Sequence, residues 1–379
     1  MTMSSTTRGM LRSGVPACLL ALAAAPAARA QEGPAPPWTG AAGVRVERYA
    51  FVDAQQVGID GISLLTVPLA AEAWVGRRVR VTLVGGFAAA RLTRADGGTA
   101  TLTGPVDTEL RVSVPLAGDW ITLTGVAVLP TGKESLSAEE LEVAGIVASD
   151  LLPFAISHWG SGGGAGASLA LARRVGSVGV GVSGGYHAGR EYHAFAGAGG
   201  AYRPGDEAFL TLAVDRAVGG GRATLQAGAH HYAHDELEGG NLYRSGDRYQ
   251  LIGSYAFEGR GRTSGVVYAG ALHRENGARL AQLAQDLPAQ DLVLLGAGLR
   301  LPLRRGILLP SVDGRIFRSA DGVGQGFGLG AGAQAEWPAG AVTLLPSARV
   351  RWGRVLVLEG AESAFTGLEV GFGVRRGRR

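Results

Sequence analysis

Apolar positions recur every second residue along most of this chain, from about Val44 to its C-terminal end. Ser177-Val-Gly-Val-Gly-Val-Ser-Gly-Gly-Tyr186 shows the pattern: Val178, Val180 and Val182 share one side, Gly179, Gly181 and Ser183 the other. A period of two sends successive side chains to opposite faces of a β-sheet. Segments of this kind, each about ten residues long, predict about sixteen strands of an antiparallel transmembrane β-barrel, with about fourteen as the alternative. They begin near Val44, Gly61, Val79, Thr108, Trp120, Ala165, Ser177, Ala208, Arg222, Arg248, Arg262, Leu292, Gly306, Gly326, Ala341 and Phe365.

The faces differ in character. Leu210, Leu212 and Val214 oppose Thr211, Ala213 and Asp215, and Leu110, Val112 and Val114 oppose Glu109, Arg111 and Ser113. Leu308, Val312 and Ile316 oppose Ser311, Asp313 and Arg315. Leu368, Val370 and Phe372 oppose Gly367, Glu369 and Gly371. In a barrel the apolar side meets acyl chains, and charges must turn inward, because Arg or Lys at the lipid midplane costs about 2–4 kcal/mol. A soluble sandwich shows the same alternation with its apolar side as the core. The strands run longer than the usual five or six residues of a soluble sheet, which favours the barrel. The inward charges Arg80, Glu109, Arg111, Asp313, Arg315, Arg349, Arg351 and Glu369 are the pore-lining candidates, either tuning selectivity or filling the lumen as salt bridges.

Connections alternate in length. Short ones lie at Ala117-Gly-Asp119, Arg173–Gly176, Gly219–Gly221, Glu258–Gly261, Arg304-Arg305 and Pro338–Gly340. Longer ones span Pro130–Gly164, Gly189–Gly205, His234–Asp247, Arg274–Gln290 and Arg354–Ala364. Short turns belong in the periplasm and long loops outside. Arg77, Arg78, Arg173, Arg174, Arg222, Arg260, Arg262, Arg304 and Arg305 cluster at the short turns, while Glu139, Glu140, Glu142, Asp235, Glu236, Glu238, Glu359 and Glu362 sit in the loops. Trp74, Trp120 and Trp337 fall at the turn ends, and Tyr186, Tyr232 and Trp352 at the loop ends, as interface aromatics would.

The N-terminus explains how such a chain reaches a membrane. Arg8 and Arg12, the apolar run Val15–Ala25 and the site Ala28-Arg29-Ala30 make residues 1–30 a cleaved export signal. Residues 31–43, with Pro34, Pro36 and Pro37, form a short periplasmic lead, and 44–379 the barrel. The single cysteine, Cys18, lies within the signal, so no disulfide or thiolate site is expected in the mature chain. Hydrophobic residues are 46% of the sequence, yet no stretch approaches the roughly twenty apolar residues of a membrane helix. The outer membrane of a Gram-negative-type bacterium is the expected location. Outer-membrane lipid, the barrel assembly machinery and a small-molecule cargo are the expected partners, and nucleic acid is not.

Candidate chemistry is sparse. His230 and His234, beside Asp235 and Glu236, are weak metal ligands, and a solvated strand end explains them better. Ser254 and His230 are a loose hydrolase pair with no nucleophile motif around them. No Gly-x4-Gly-Lys phosphate loop is present. No cofactor and no enzymatic activity are expected. Pro310 and Pro346 interrupt strands and predict local breaks in the ladder.

The longest loop is the most distinctive segment. Ser137 and Glu140 have capping-box spacing before a partly apolar run, which predicts a helix. Leu141, Ile146, Leu151, Leu152 and Phe154 are its candidate substrate-capture residues, either binding a greasy cargo or closing the pore mouth, if the helix does not simply pack on the rim. Leu129-Pro-Thr-Gly-Lys133 followed by Asp150-Leu-Leu-Pro-Phe154 resembles outer-membrane channels of phenol meta-pathway degradation, which are broadly similar to long-chain fatty-acid transporters. That resemblance implies passive uptake of small hydrophobic molecules. The sequence departs from it in a lead too short for a full plug and in an Arg-Arg-Gly-Arg-Arg ending where an aromatic is usual, with Phe372 as the nearest substitute. A structural or surface-adhesion barrel is the alternative function, and a barrel-embedded hydrolase the third.

Overall fold

A computed structural model describes residues 38–76, 78–117, 120–149, 152–197, 200–259, 263–279, 288–322, 325–358 and 361–376. The expected export signal, residues 31–37, and Arg77, Leu151, Arg260, Arg262 and Glu359 lie outside the described residues.

The strands are β1 (Trp38–Phe51), β2 (Ile59–Val75), β3 (Val79–Arg94), β4 (Thr99–Leu116), β5 (Ile121–Leu129), β6 (Gly164–Val175) and β7 (Val178–Gly189). They continue with β8 (Tyr202–Arg203), β9 (Glu207–Val218), β10 (Gly221–Tyr232), β11 (His234–Leu237), β12 (Gly240–Arg244), β13 (Arg248–Glu258) and β14 (Ser264–Arg274). The last are β15 (Ala278–Arg279), β16 (Gln290–Leu303), β17 (Gly306–Ser319), β18 (Gln325–Ala339), β19 (Val342–Leu358) and β20 (Ala361–Arg376). Sixteen of them close one antiparallel barrel, β1 pairing with both β2 and β20, while β8, β11, β12 and β15 form a small separate sheet from the long loops. Closure leaves no unpaired edge, the condition for strands to span lipid.

All sixteen expected barrel strands are present, and three boundaries move. The first begins at Trp38, so residues 38–43 of the expected lead are already strand, and the fourth begins at Thr99. The expected long connection Arg354–Ala364 is mostly strand, because β19 reaches Leu358 and β20 starts at Ala361. In each case a polar or Gly-rich stretch obscured an apolar face that the neighbouring strand continues.

The apolar face is the outer one. Leu210, Leu212, Leu225, Leu251, Leu295, Val312 and Leu368 all point to the outer side of the barrel and are about half exposed. A water-soluble sheet would bury them. On this belt, with Arg45, Glu47, Asp313 and Arg351 turned the other way, the molecule is a membrane-spanning barrel. Tyr186, Trp337 and Trp352 stand exposed at its rims, joined by the stacked pair Tyr255 and Phe257 near a short turn. Two expected interface aromatics are elsewhere. Tyr232 is buried, with the Arg248 guanidinium 5.6 Å from its ring centre, and Trp74 has the parity of the inward Arg80 that it faces.

Inward positions alternate bulky and absent side chains. A Cβ on Gly296 would fall 2.4 Å from the Tyr268 hydroxyl, so this glycine lets the aromatic lie flat along the wall. Both prolines leave gaps in pairing: β16 and β17 skip from Gly298–Ser311 to Leu301–Leu308, and β18 and β19 from Gln334–Ser347 to Trp337–Leu344.

Candidate functional site: an infolded loop facing a charged wall

One β-bulge prepares the site. Val84 pairs with Glu109 and Gly86 with Val106, so Asp107 and Thr108 together oppose Gly85. The extra residue flips the alternation of β4: Ala100, Leu102 and Val106 are buried on one side of it, and Ser113 on the other. It also aims Asp107 into the barrel, where only 3% of the residue is exposed.

Asp107 fastens the loop between β5 and β6. Its carboxylate accepts hydrogen bonds from the Gly132 N–H at 2.9 Å and from the Ser161 N–H and hydroxyl, each at 2.7 Å. Its own N–H donates to the Trp159 carbonyl at 2.8 Å. Both ends of the loop are thereby tied to one residue. Close approach is possible because Gly132 has no side chain: a Cβ there would lie 2.1 Å from the Trp159 oxygen.

Between those ends runs the helix Ala138–Val147, with the expected capping box: the Glu140 N–H donates to the Ser137 hydroxyl, and the Ser137 N–H to the Glu140 carboxylate at 3.0 Å. Burial raises the Glu140 pKa, but the Lys133 ammonium and the Ser137 donors oppose it, and the net result lies below the ordinary value. Glu142 holds Arg94 of β3 with two Nε contacts at 3.2 Å. Val143 and Val147 are fully buried against the inner wall of β1–β4, whose Ile62, Leu64, Ala88, Leu92 and Leu102 are also buried. Trp159 completes this core, its indole N–H donating to the Ala88 carbonyl at 3.0 Å. Each large apolar side chain so buried contributes about 1.5–3 kcal/mol to docking. Further in, the fully buried Glu47 accepts the Ala155 N–H at 2.9 Å, and the Phe154 ring meets Tyr49 edge-on at 5.0 Å.

The expected capture residues are thus largely committed to packing. Leu152 is buried, Ile146 and Phe154 pack against the core, and Leu141 is half-buried. The loop occupies the outer half of the lumen on the β1–β4 side and does not rest on the rim.

Beside it stands the charged wall. Arg351 pairs with Asp313 at 2.8 Å and reaches Glu369 at 3.7 Å, and Arg349 pairs with Asp313 and donates to the Ser311 hydroxyl at 2.6 Å. Arg45 joins Glu369 at 3.0 Å to Glu47 at 2.9 Å. Four of the expected lining residues, Asp313, Arg349, Arg351 and Glu369, are therefore one network across β17, β19 and β20, extended to β1. Arg315 follows Asp313 on the same face of β17. Glu109 and Arg111 pair with each other on β4, and Arg80 lies apart, opposite Trp74 near a short turn. Arg45, Glu47 and Tyr268 were missed, although Arg45 and Glu47 alternate with Val44 and Val46 in the same way as the others.

The opposite wall is built of small groups: Ser168 and Ala170 of β6, Gly181 and Ser183 of β7, Thr211 and Ala213 of β9. Sixteen strands enclose enough width for an aqueous lumen. Bulk inside the barrel is thus uneven, with the infolded loop and the charges on one side and small side chains on the other, and the β7–β9 loop reaches the infolded one where Leu136 bridges Phe195.

The chemistry expected of histidine does not assemble. His230 bonds Glu207 at 2.6 Å and stacks on Phe209, whereas His234 opens β11 in the outer sheet. Ser254 pairs in register with Thr224, six residues from His230 along β10, roughly 20 Å at strand spacing. That separation removes the Ser254–His230 pair.

No known family profile matches the chain, and no curated protein matches it. Among solved structures it is similar to a high-pH form of OprB from Pseudomonas putida: 8% identity, TM-score 0.53, covering 90% of this chain and 94% of that one. An anion-selective porin from Comamonas acidovorans has 11% identity, TM-score 0.42, and coverage of 90% and 98%. The CymD monoaromatic hydrocarbon channel has 11% identity, TM-score 0.41, and coverage of 100% and 94%. Identities this low speak for the fold alone. The class is that of closed sixteen-stranded outer-membrane-type barrels.

Proposed function

We propose that the protein is a passive outer-membrane channel for small solutes, with its long loops outside and its short turns in the periplasm. The observation that carries this reading is the docked loop, which packs on the inner wall of β1–β4 while the facing strands β6, β7 and β9 turn small side chains inward. Water and small hydrated molecules pass between the loop and the wall of β6–β10, across the field of Arg45, Arg315, Arg349 and Arg351. Glu47, Asp313 and Glu369 stand among these guanidinium groups, so the field is of mixed sign and tunes passage by charge.

The resemblance to hydrophobic-uptake channels supports an apolar cargo. Against it, Leu152, Ile146 and Phe154 are spent on docking, so polar solutes are the better fit. Planar-bilayer recordings of the folded protein test the reading: stepwise conductance is expected. Folded protein without conductance, and without solute uptake in liposome swelling, overturns it.

A further inference from the structure

The lipid-facing wall is interrupted by a row of cations on β1–β3. Near the long-loop end, Arg48 of β1 pairs in register with Ser63 of β2, and Ser63 with Arg91 of β3. Directly paired residues share a face. Here the face is the outer one: Val46 and Phe87, which alternate in phase with Arg48 and Arg91, are exposed, while Glu47, Tyr49, Ala90 and Leu92 between them are buried inside. Arg48 and Arg91 each lie three residues from the long-loop end of their strand, and Ser63 four.

Both arginines are exposed, and among the described residues neither forms an ion pair. Their inward neighbours Arg45 and Arg94 are paired. Near the interface, where it meets polar headgroups, a lipid-facing arginine is tolerated far better than at the midplane. The planar guanidinium fork matches phosphate oxygens in bidentate fashion. Two strands apart, the side chains start roughly 9.5 Å from each other. An extended arginine side chain spans more than half of that gap, so a single group above Ser63 is within reach of both, and the Ser63 hydroxyl adds a further donor. On the membrane side of this row lie Val46, Leu65 and Ala89, one cross-strand row, then Val67 and Phe87. Donors above and an apolar bed below is the polarity of a lipid with an anionic headgroup.

Another outward cluster at the same end makes the contrast. Arg318 of β17 faces Asp291 of β16, which bonds His273 at 2.8 Å, so a carboxylate already occupies that cationic position. The wall of β1–β3 has no such acid in its row.

We infer that the outer surface of β1–β3 binds a phosphorylated lipid of the long-loop leaflet, its phosphate held between Arg48 and Arg91 over Ser63 and its acyl chains on Val46, Leu65, Val67 and Phe87. This site is separate from the lumen and stands whether or not the pore conducts.

The test uses the full barrel in dodecyl maltoside micelles, titrated with bis-phosphorylated lipid A, with its dephosphorylated form and with inorganic phosphate, and read by native mass spectrometry. Lipid A binds the natural protein. Arg48→Gln with Arg91→Gln weakens it more than about tenfold, since hydrogen bonds to an ionised phosphate are among the stronger ones. Arg48→Lys with Arg91→Lys recovers part of the affinity, Arg318→Gln changes nothing, and the two control ligands bind weakly. Heat-modifiable migration on gels confirms that each variant is folded. Equal binding by the double Gln variant, equal binding of the dephosphorylated lipid, binding of inorganic phosphate as tight as that of lipid A, or an equal loss in Arg318→Gln overturns the proposal.

Discussion

Replacing Asp107 by alanine should loosen the loop without opening the barrel. The carboxylate is the common acceptor for Gly132 and Ser161, at distances of 2.7–2.9 Å, from the two ends of the infolded segment. Hydrogen bonds to an ionised group contribute ~1.5–3 kcal/mol each, and stranded backbone donors add their own desolvation. Because the bonds share one carboxylate they are not independent, and a loss of roughly 3–5 kcal/mol in docking is expected. At about 1.4 kcal/mol per factor of ten, the docked-to-undocked ratio falls by two to three orders of magnitude. Docking does not vanish, because Trp159, Val143 and Val147 remain buried. The loop should therefore open transiently. Glu139 is exposed on the helix and Glu142 is held against Arg94, so a glutamate-specific protease measures the opening directly. Asp107→Ala should be cut in the loop much faster than the natural protein, and its channel current should be noisier. Asp107→Asn, which keeps the shape and loses the charge, should fall between. Cleavage at the natural rate in a correctly folded Asp107→Ala would refute the claim that this residue fastens the loop.

Gly132→Ala should release the same loop by another route, since its Cβ would lie 2.1 Å from the Trp159 carbonyl oxygen and 2.7 Å from the Asp107 carboxylate; protease sensitivity equal to that of the natural protein would contradict this. Asp313→Asn with Glu369→Gln leaves Arg349 and Arg351 without their acids and should shift the reversal potential toward anions, while Arg349→Gln with Arg351→Gln should shift it toward cations; bi-ionic potentials measure both. Glu140 gives a pH dependence. Its folded pKa lies below the ordinary 4.5, so its contribution to the helix cap is complete above that value and is lost as pH falls through the lower, folded one. Loop protection should therefore be flat from neutral pH down to the ordinary carboxylate range and decline only in stronger acid, and Glu140→Gln should reduce that decline.

The alternation of apolar and polar positions determined the strands, the direction of the apolar face and the relative lengths of most connections, and it narrowed the strand number to sixteen or fourteen, of which the closed barrel has sixteen. It could do so because lipid demands one uniformly apolar face from every strand, so the constraint repeats sixteen times within the sequence. The capping box of Ser137 and Glu140 was equally local and equally legible. The inward charges were legible as a set but not as partners: the bond from Asp313 to Arg349 and Arg351 depends on register across β18, where Gly330 and Gly332 leave room for long side chains to meet. The loop's destination was not legible at all. Its apolar residues suit a cargo, a rim or an interior wall, and only the closed barrel presents Ile62, Ala88, Leu92 and Leu102 as an uncovered inner surface for them. The bulge that turns Asp107 inward leaves no mark in the chain beyond one misplaced beat in β4. It is the packing of β3 against β4 that converts that beat into the anchor of the loop.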